Sequence, residues 1–182
     1  LDRLGNTTHP IAAEELMKTS LLLPADDSIL KQLQPLKHII ANSLKSHDPA
    51  VNDGSVLAAW RAFALSLLDY RRGNFATAVD ELDSCSNYPG QSPSCVASTH
   101  LLLSMALHQL GKVEQADKEL VKGQAMVQNW FQQKLEPGDD KTGRIEGWIT
   151  TPILLQEAES LTNSFSGPKP DDCKHNLSHL LK

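Results

Sequence analysis

The sequence predicts an all-α fold, in which antiparallel helix hairpins stack into an α-α superhelix of about seven or eight helices. Three observations carry that expectation. Apolar residues recur at helical spacing between regularly placed turn formers. Leu and Ala dominate while β-branched residues are scarce. One pair of segments also repeats after 38 residues.

Taken in order, Pro10 ahead of Ile11, Ala12, Leu16, Met17 and Leu21 predicts a helix from about residue 10 with Pro in its first turn. Asp26 or Asp27 is placed to cap a second helix running to about Leu44. Pro35 lies inside that stretch and removes one hydrogen bond, so a kink or break is expected there. After Gly54, residues Val56 to Leu68 are apolar on nearly every face, the mark of a helix covered on both sides. Gly73-Asn74 then turns the chain into a stripe of Phe75, Ala78, Val79, Leu82 and Cys85, with Asp80, Glu81 and Asp83 facing away. The alternation recurs past Pro89-Gly90. Val96 to Leu110 are again apolar all round, Gly111 turns the chain, and Val113, Ala116, Leu120, Val121 and Val127 oppose Glu114, Asp117, Lys118 and Glu119. Beyond Pro137-Gly138, Thr151-Pro152 reads as a cap and first helical residue, opening a helix over 151–162 that carries Ile153, Leu154, Ala158 and Leu161. Gly167-Pro168 ends it, and Asp171 or Asp172 caps a last helix ending near Lys182. The chain therefore reads as one domain with central hairpins at 55–88 and 95–132 and degenerate outer hairpins at 10–44 and 145–182.

Shifting the chain by 38 residues pairs Leu65 with Leu103, Ser66 with Ser104, Gly73 with Gly111, Ala78 with Ala116, Leu82 with Leu120 and Cys85 with Gly123. Small side chains let two helices approach closely, and Gly supplies a turn that costs other residues energy. This pattern resembles the tetratricopeptide repeat. Its period is four longer than the usual ~34 residues, and the loop from Pro89 to Pro93 absorbs the difference.

A second resemblance rests on Trp60-Arg61-Ala62-Phe63-Ala64-Leu65, Leu68-Asp69-Tyr70-Arg71-Arg72-Gly73-Asn74-Phe75 and Ala78-Val79. It continues through Ala97, Met105 to Gly111, Ala116 and Leu154 to Leu161, and at the front through Asn6-Thr7-Thr8, Ala13-Glu14 and Leu21 to Pro24. These stretches are similar to a helical region at the C-terminal end of large bacterial serine/threonine protein kinases, where it accompanies WD-repeat propellers or further tetratricopeptide repeats. The resemblance implies an accessory region of a larger signalling protein. The start at Leu1 without an initiator Met fits a piece taken from a longer chain.

Composition narrows the function. The chain has 182 residues, 40% of them apolar, 21% charged and 5% aromatic, and a domain of this size can bury about 70% of its unfolded surface. A net charge of −5 and a pI near 5.8 give no reason to expect a nucleic acid or an anionic membrane as partner. No apolar run approaches the ~18–20 residues that span a bilayer, and no signal peptide is visible. Cys85, Cys95 and Cys173 are too few for a disulfide scaffold. Cys85 and Cys95 flank one loop, so a bridge is sterically possible, but free thiols in a reducing, cytoplasmic setting are the reading adopted.

Catalytic motifs are absent. There is no Gly-rich phosphate loop, His-Arg-Asp catalytic loop or Asp-Phe-Gly segment, and Gly111-Lys112 is followed by Val rather than completing a Walker motif. No enzyme activity and no cofactor are therefore expected. His175 and His179 stand one helical turn apart behind Asp171, Asp172 and Cys173, a spacing that can share a metal. A solvated last helix is the preferred reading, and no metal is assigned. His100 and His108 lie two turns apart, too far for one ion. Glu157/Glu159 and Asp139/Asp140 are read as solvated.

The first helix of each hairpin lines the concave side of tetratricopeptide stacks. Carried over, that places Trp60, Phe63, Leu67, Tyr70 and Arg71 on a partner-binding groove together with Leu101, Met105 and His108. The alternative is that these side chains are core. Trp60, with apolar neighbours all round, is expected in the core, and Tyr70, beside Asp69, Arg71 and Arg72, in the groove. The expected function is a non-enzymatic protein–protein interaction or scaffold module whose partner is a protein or peptide segment or a neighbouring domain. The alternatives are a regulatory or substrate-positioning C-terminal domain of a serine/threonine kinase and a small-ligand sensor using the apolar groove.

Overall fold

A computed structural model describes residues 7–45, 55–85, 87–88, 91–132 and 145–165. Among them the regular elements are helices: α1 (Pro10–Leu21), α2 (Asp27–Gln32), α3 (Gln34–Lys45), α4 (Ser55–Arg71), α5 (Phe75–Cys85), α6 (Pro93–Gln109), α7 (Val113–Gln132) and α8 (Ile145–Phe165). The architecture is an all-α stack of antiparallel neighbours.

Helix starts follow local chemistry. Pro10 opens α1, where its missing N–H costs nothing. The Asp26 carboxylate accepts from the Ile29 N–H at 2.9 Å and caps α2. Pro35 breaks the second predicted helix: α2 closes with the Leu33 N–H on the Ile29 carbonyl, and α3 starts at Gln34 with Pro35 in its first turn.

The two central hairpins turn identically. Gly73 and Gly111 have φ of 78° and 74°, a left-handed conformation that Gly adopts without penalty. The Gly73 N–H bonds the Tyr70 carbonyl and the Asn74 N–H bonds the Asp69 carbonyl, both at 2.9 Å. Thirty-eight residues on, Gly111 bonds His108 at 2.9 Å and Lys112 bonds Leu107 at 3.0 Å. Both are Schellman closures, which satisfy carbonyls that the helix end leaves open. Past each turn, Ala78 and Ala116 are fully buried. Gly123 lets α7 approach α6 closely, since a Cβ there would lie 2.6 Å from Leu101 Cδ2.

The stack runs in sequence order. α1 and α3 pack on each other and on α4, α4 pairs with α5, α5 meets α6, α6 pairs with α7, and α8 lies on α6 and α7. The apolar-all-round segments of α4 and α6 become the buried spine, with Phe63, Leu67, Leu68, Leu101 and Leu102 at its centre.

One expectation is corrected. The last described helix begins at Ile145, not Thr151, and Pro152 lies inside it. The N–H that Pro152 lacks would have bonded the Trp148 carbonyl. A continuous buried face of Gly147, Trp148, Thr151, Leu154 and Ala158 carries the helix through that gap. The Thr151 hydroxyl adds a bond to the Gly147 carbonyl at 2.9 Å, and the Trp148 ring stacks on Trp130 with centroids 4.6 Å apart.

Candidate interaction site

The residues predicted to line a concave groove do come together, but under cover. Trp60, Phe63, Leu67, Tyr70, Leu101, Met105 and His108 are all buried, and only 4% of the Arg71 side chain is exposed. The groove is therefore corrected to core. Trp60 keeps its expected place; Tyr70, expected on the groove lip, does not.

The physical reason is that α1 and α8 close this face from both sides. At the start of α4, Lys18 of α1 sets its ammonium 4.5 Å from the Trp60 ring centroid, a cation–π arrangement. Gly147 of α8 abuts the same ring, where an added Cβ would lie 2.9 Å from Trp60 Cζ2. Phe63 meets Trp60 edge-on at 5.5 Å. At the end of α4, Arg71 bonds both covering helices. It donates to the Leu21 carbonyl at 2.9 Å and the Leu22 carbonyl at 3.0 Å, satisfying open carbonyls at the end of α1. It also grips the Glu157 carboxylate of α8, through Nη1 to Oε1 and Nη2 to Oε2 at 2.7 Å. Trp60 and Gly147 thus meet at one end of the face and Arg71 and Glu157 at the other, so α8 runs parallel to α4. It also follows α6: Gly147 abuts Ser94 and Thr151 reaches Ser98 at 3.2 Å.

The electrostatics agree with a closed face. Burial pushes the Tyr70 hydroxyl up to about 12, and the Glu157 charge adds to the rise, so it stays protonated and un-ionised. Its ring packs on Phe75 at 5.5 Å. Glu14, buried beside Lys18 at 2.8 Å, is raised by desolvation against the pull of that ammonium. Sequence reasoning missed Glu157, read as solvated. Its signal was its place between Leu154 and Leu161 on the apolar stripe of α8.

The other candidates separate. His100 bonds Glu119 of α7 at 2.6 Å, and Glu119, also held by Lys122, has its carboxyl lowered. Desolvation opposes that shift, and the Lys122 and His100 bonds outweigh it. Glu159 accepts from Gln124 at 2.9 Å. Cys85 and Cys95 are free and buried; burial pushes the Cys85 thiol up to about 12. Asp139, Asp140, Asp171, Asp172, Cys173, His175 and His179 lie outside the described residues. Among the described residues no group of three His, Cys, Asp or Glu is placed to hold a metal, and no helix is long and apolar enough to cross a membrane.

Among the described residues an open cleft lies on each side of α5. The larger, about 670 Å³, lies over α6 between α5 and α7, with Val79, Leu103, Leu107 and Val121 among its apolar lining and Lys112, Lys118, Lys122, Asp83, Asp117 and Glu119 among its charges. The smaller, about 330 Å³, lies between α3, α4 and α5 and is lined by Leu44, Ala62, Leu65, Thr77, Asp80, Glu81, Ser84 and Tyr88. Compared with known proteins, the chain matches no family model, no curated protein and no solved structure.

Proposed function

We propose that this domain is a non-enzymatic protein-interaction module of the tetratricopeptide kind, and that it holds a protein segment on the outer cleft over α6 rather than on its inner face. One observation carries the reading. The inner face is filled by α1 and α8, whereas Val121 is 62% exposed beside the apolar lining residues Leu103 and Leu107. An apolar side chain left in water at the edge of a concave surface is where a partner gains most from burial. The alternating Lys and acidic residues around the cleft would set the register of that partner rather than its affinity. The place of the domain within a larger signalling chain rests on the resemblance of residues 60–79 to bacterial kinase helical regions.

The test compares immobilised wild-type chain with Val121→Asp and Trp60→Ala, identifying proteins retained from cell extract by quantitative mass spectrometry. A partner held by wild type should be lost by Val121→Asp, whose melting temperature should match wild type because Val121 packs against little. A partner retained by Val121→Asp, or lost by Trp60→Ala beyond what its lowered stability accounts for, would return the interaction to the inner face.

A further inference from the structure

We propose that the cleft between α3, α4 and α5 is a binding site for a small organic cation, a protonated amine with a short apolar body, and that Glu81 supplies its counter-charge. This site is separate from the cleft over α6 and does not depend on it.

The cleft encloses about 330 Å³, within the range of ~300–1,000 Å³ typical of small-ligand sites. Its apolar walls come from three elements: Leu44 at the end of α3, Ala62 and Leu65 on α4, and Tyr88 beyond α5. Its polar edge comes from α5 alone, through Thr77, Asp80, Glu81 and Ser84. Apolar walls with a few polar groups on one edge suit a small amphipathic ligand, and of these groups Glu81 is the half-buried carboxyl.

The charge of that group is unanswered. Glu81 Oε2 is occluded from water, and the Ser66 hydroxyl that acts on this carboxyl already donates its proton to the Ala62 carbonyl at 3.0 Å. That leaves the oxygen without a full hydrogen bond, a costly state for a carboxylate. The cation acting on it is Lys37 of α3, and that ammonium is bonded at 2.8 Å to Asp69 Oδ2. The other Asp69 oxygen accepts from Asn74 at 3.0 Å. The groups acting on Glu81 are thus Lys37 from α3 and Asp69 and Ser66 from α4, with Cys85 as its neighbour along α5. Two carboxyls face one ammonium, and the Cys85 thiol is neutral. Among the groups acting on Glu81, the one ammonium is thus shared between two carboxyls.

Titration fits the same geometry. Burial pushes the Glu81 carboxyl up to about 7, Asp69 adds to the rise, and Lys37 and Ser66 oppose it. Near neutral pH the site is therefore partly occupied by a proton, which an entering ammonium displaces. Cation binding should strengthen as pH rises through that value, with protons released.

The experiment titrates the full 182-residue chain with benzylamine, using benzyl alcohol as the neutral probe of similar shape. Calorimetry at about pH 6 and about pH 8, in buffers of different ionisation heat, reads affinity and proton release together. Wild type should bind benzylamine saturably, more tightly at the higher pH and with net proton release at the lower. Glu81→Gln should weaken benzylamine about tenfold or more, while Asp80→Asn should change it little. Absence of saturable benzylamine binding, equal affinity in Glu81→Gln, or benzyl alcohol binding as tightly as benzylamine would each overturn the proposal. A matching far-ultraviolet spectrum and a melting temperature no lower than wild type for Glu81→Gln ensure that a loss reports the site and not the fold.

Discussion

Arg71 and Glu157 stand 86 positions apart in sequence and form a two-pronged ion pair, with the arginine 4% and the glutamate 22% exposed at the side chain. Because Arg71 also holds the Leu21 and Leu22 carbonyls, this one guanidinium ties three helices. Arg71→Met should cost about 3 kcal/mol, since it leaves a half-buried carboxylate and two carbonyls without their donor. Arg71→Lys should recover only part of that, because an ammonium cannot present the planar fork. A double-mutant cycle with Glu157→Gln, read by urea denaturation, should give a coupling well above that of the exposed Lys118–Glu114 pair. Additive losses would show that the two residues do not act together.

The paired turns predict a pure backbone effect. A Cβ added at Gly73 or Gly111 meets nothing within 4 Å, yet both residues have positive φ. Gly73→Ala and Gly111→Ala should each cost about 1–2 kcal/mol, and Asn at either position should cost less. Thermal melts check the order; Ala variants as stable as wild type would rule out a left-handed turn.

Gly123 predicts the opposite kind of loss. Within an exposed helix, Gly→Ala gains up to ~1 kcal/mol. Here the new methyl would fall 2.6 Å and 2.8 Å from Leu101 Cδ2 and Cγ, and Leu101 is fully buried. Overpacking of about 1–3 kcal/mol should win, so Gly123→Ala should lower the melting temperature. Ala78→Leu should do the same at the other hairpin, where Ala78 is fully buried.

A pH prediction follows from Glu81, whose carboxyl is raised from its ordinary 4.5 to about 7. Between those values the folded chain binds more protons than the unfolded one. Stability contributed by the neutral carboxyl is therefore full below about 4.5 and is lost as pH rises to about 7. Glu81→Gln removes that loss. Measured as the difference in melting temperature between the variant and wild type, the gain should grow across this window and level off above it. A flat difference would place Glu81 in ordinary solvent.

Much of the fold was legible because its signals are local. Pro10, Asp26, Pro35, Gly73 and Gly111 act within a few residues of themselves, and the structure places them as their chemistry dictates. Pro152 misled because a proline best suits a first turn. Its tolerance inside α8 depends on Trp148 stacking with Trp130 and on Thr151 meeting Ser98, partners far away in sequence. Trp60, Phe63 and Tyr70 share a face of α4, and all three are buried. Whether that face is wet depends on where α8 begins and on a salt bridge to Glu157, neither of which spacing on α4 encodes. Tyr70 beside Asp69, Arg71 and Arg72 looked hydrated, yet two of those charges are consumed by other helices: Asp69 by Lys37 and Arg71 by Glu157.

The closure of α4 by both α1 and α8 has a consequence for how the molecule comes apart. In an open array of helical repeats, stability is a sum of units and neighbour interfaces, and the ends fray first. Here the first and last described helices meet on one arginine, so loosening α8 also removes support from α1. The domain should therefore unfold in a single concerted transition. Amide exchange in α1 and α8 should show protection that rises and falls together under increasing denaturant, as expected of one cooperative unit rather than two fraying termini.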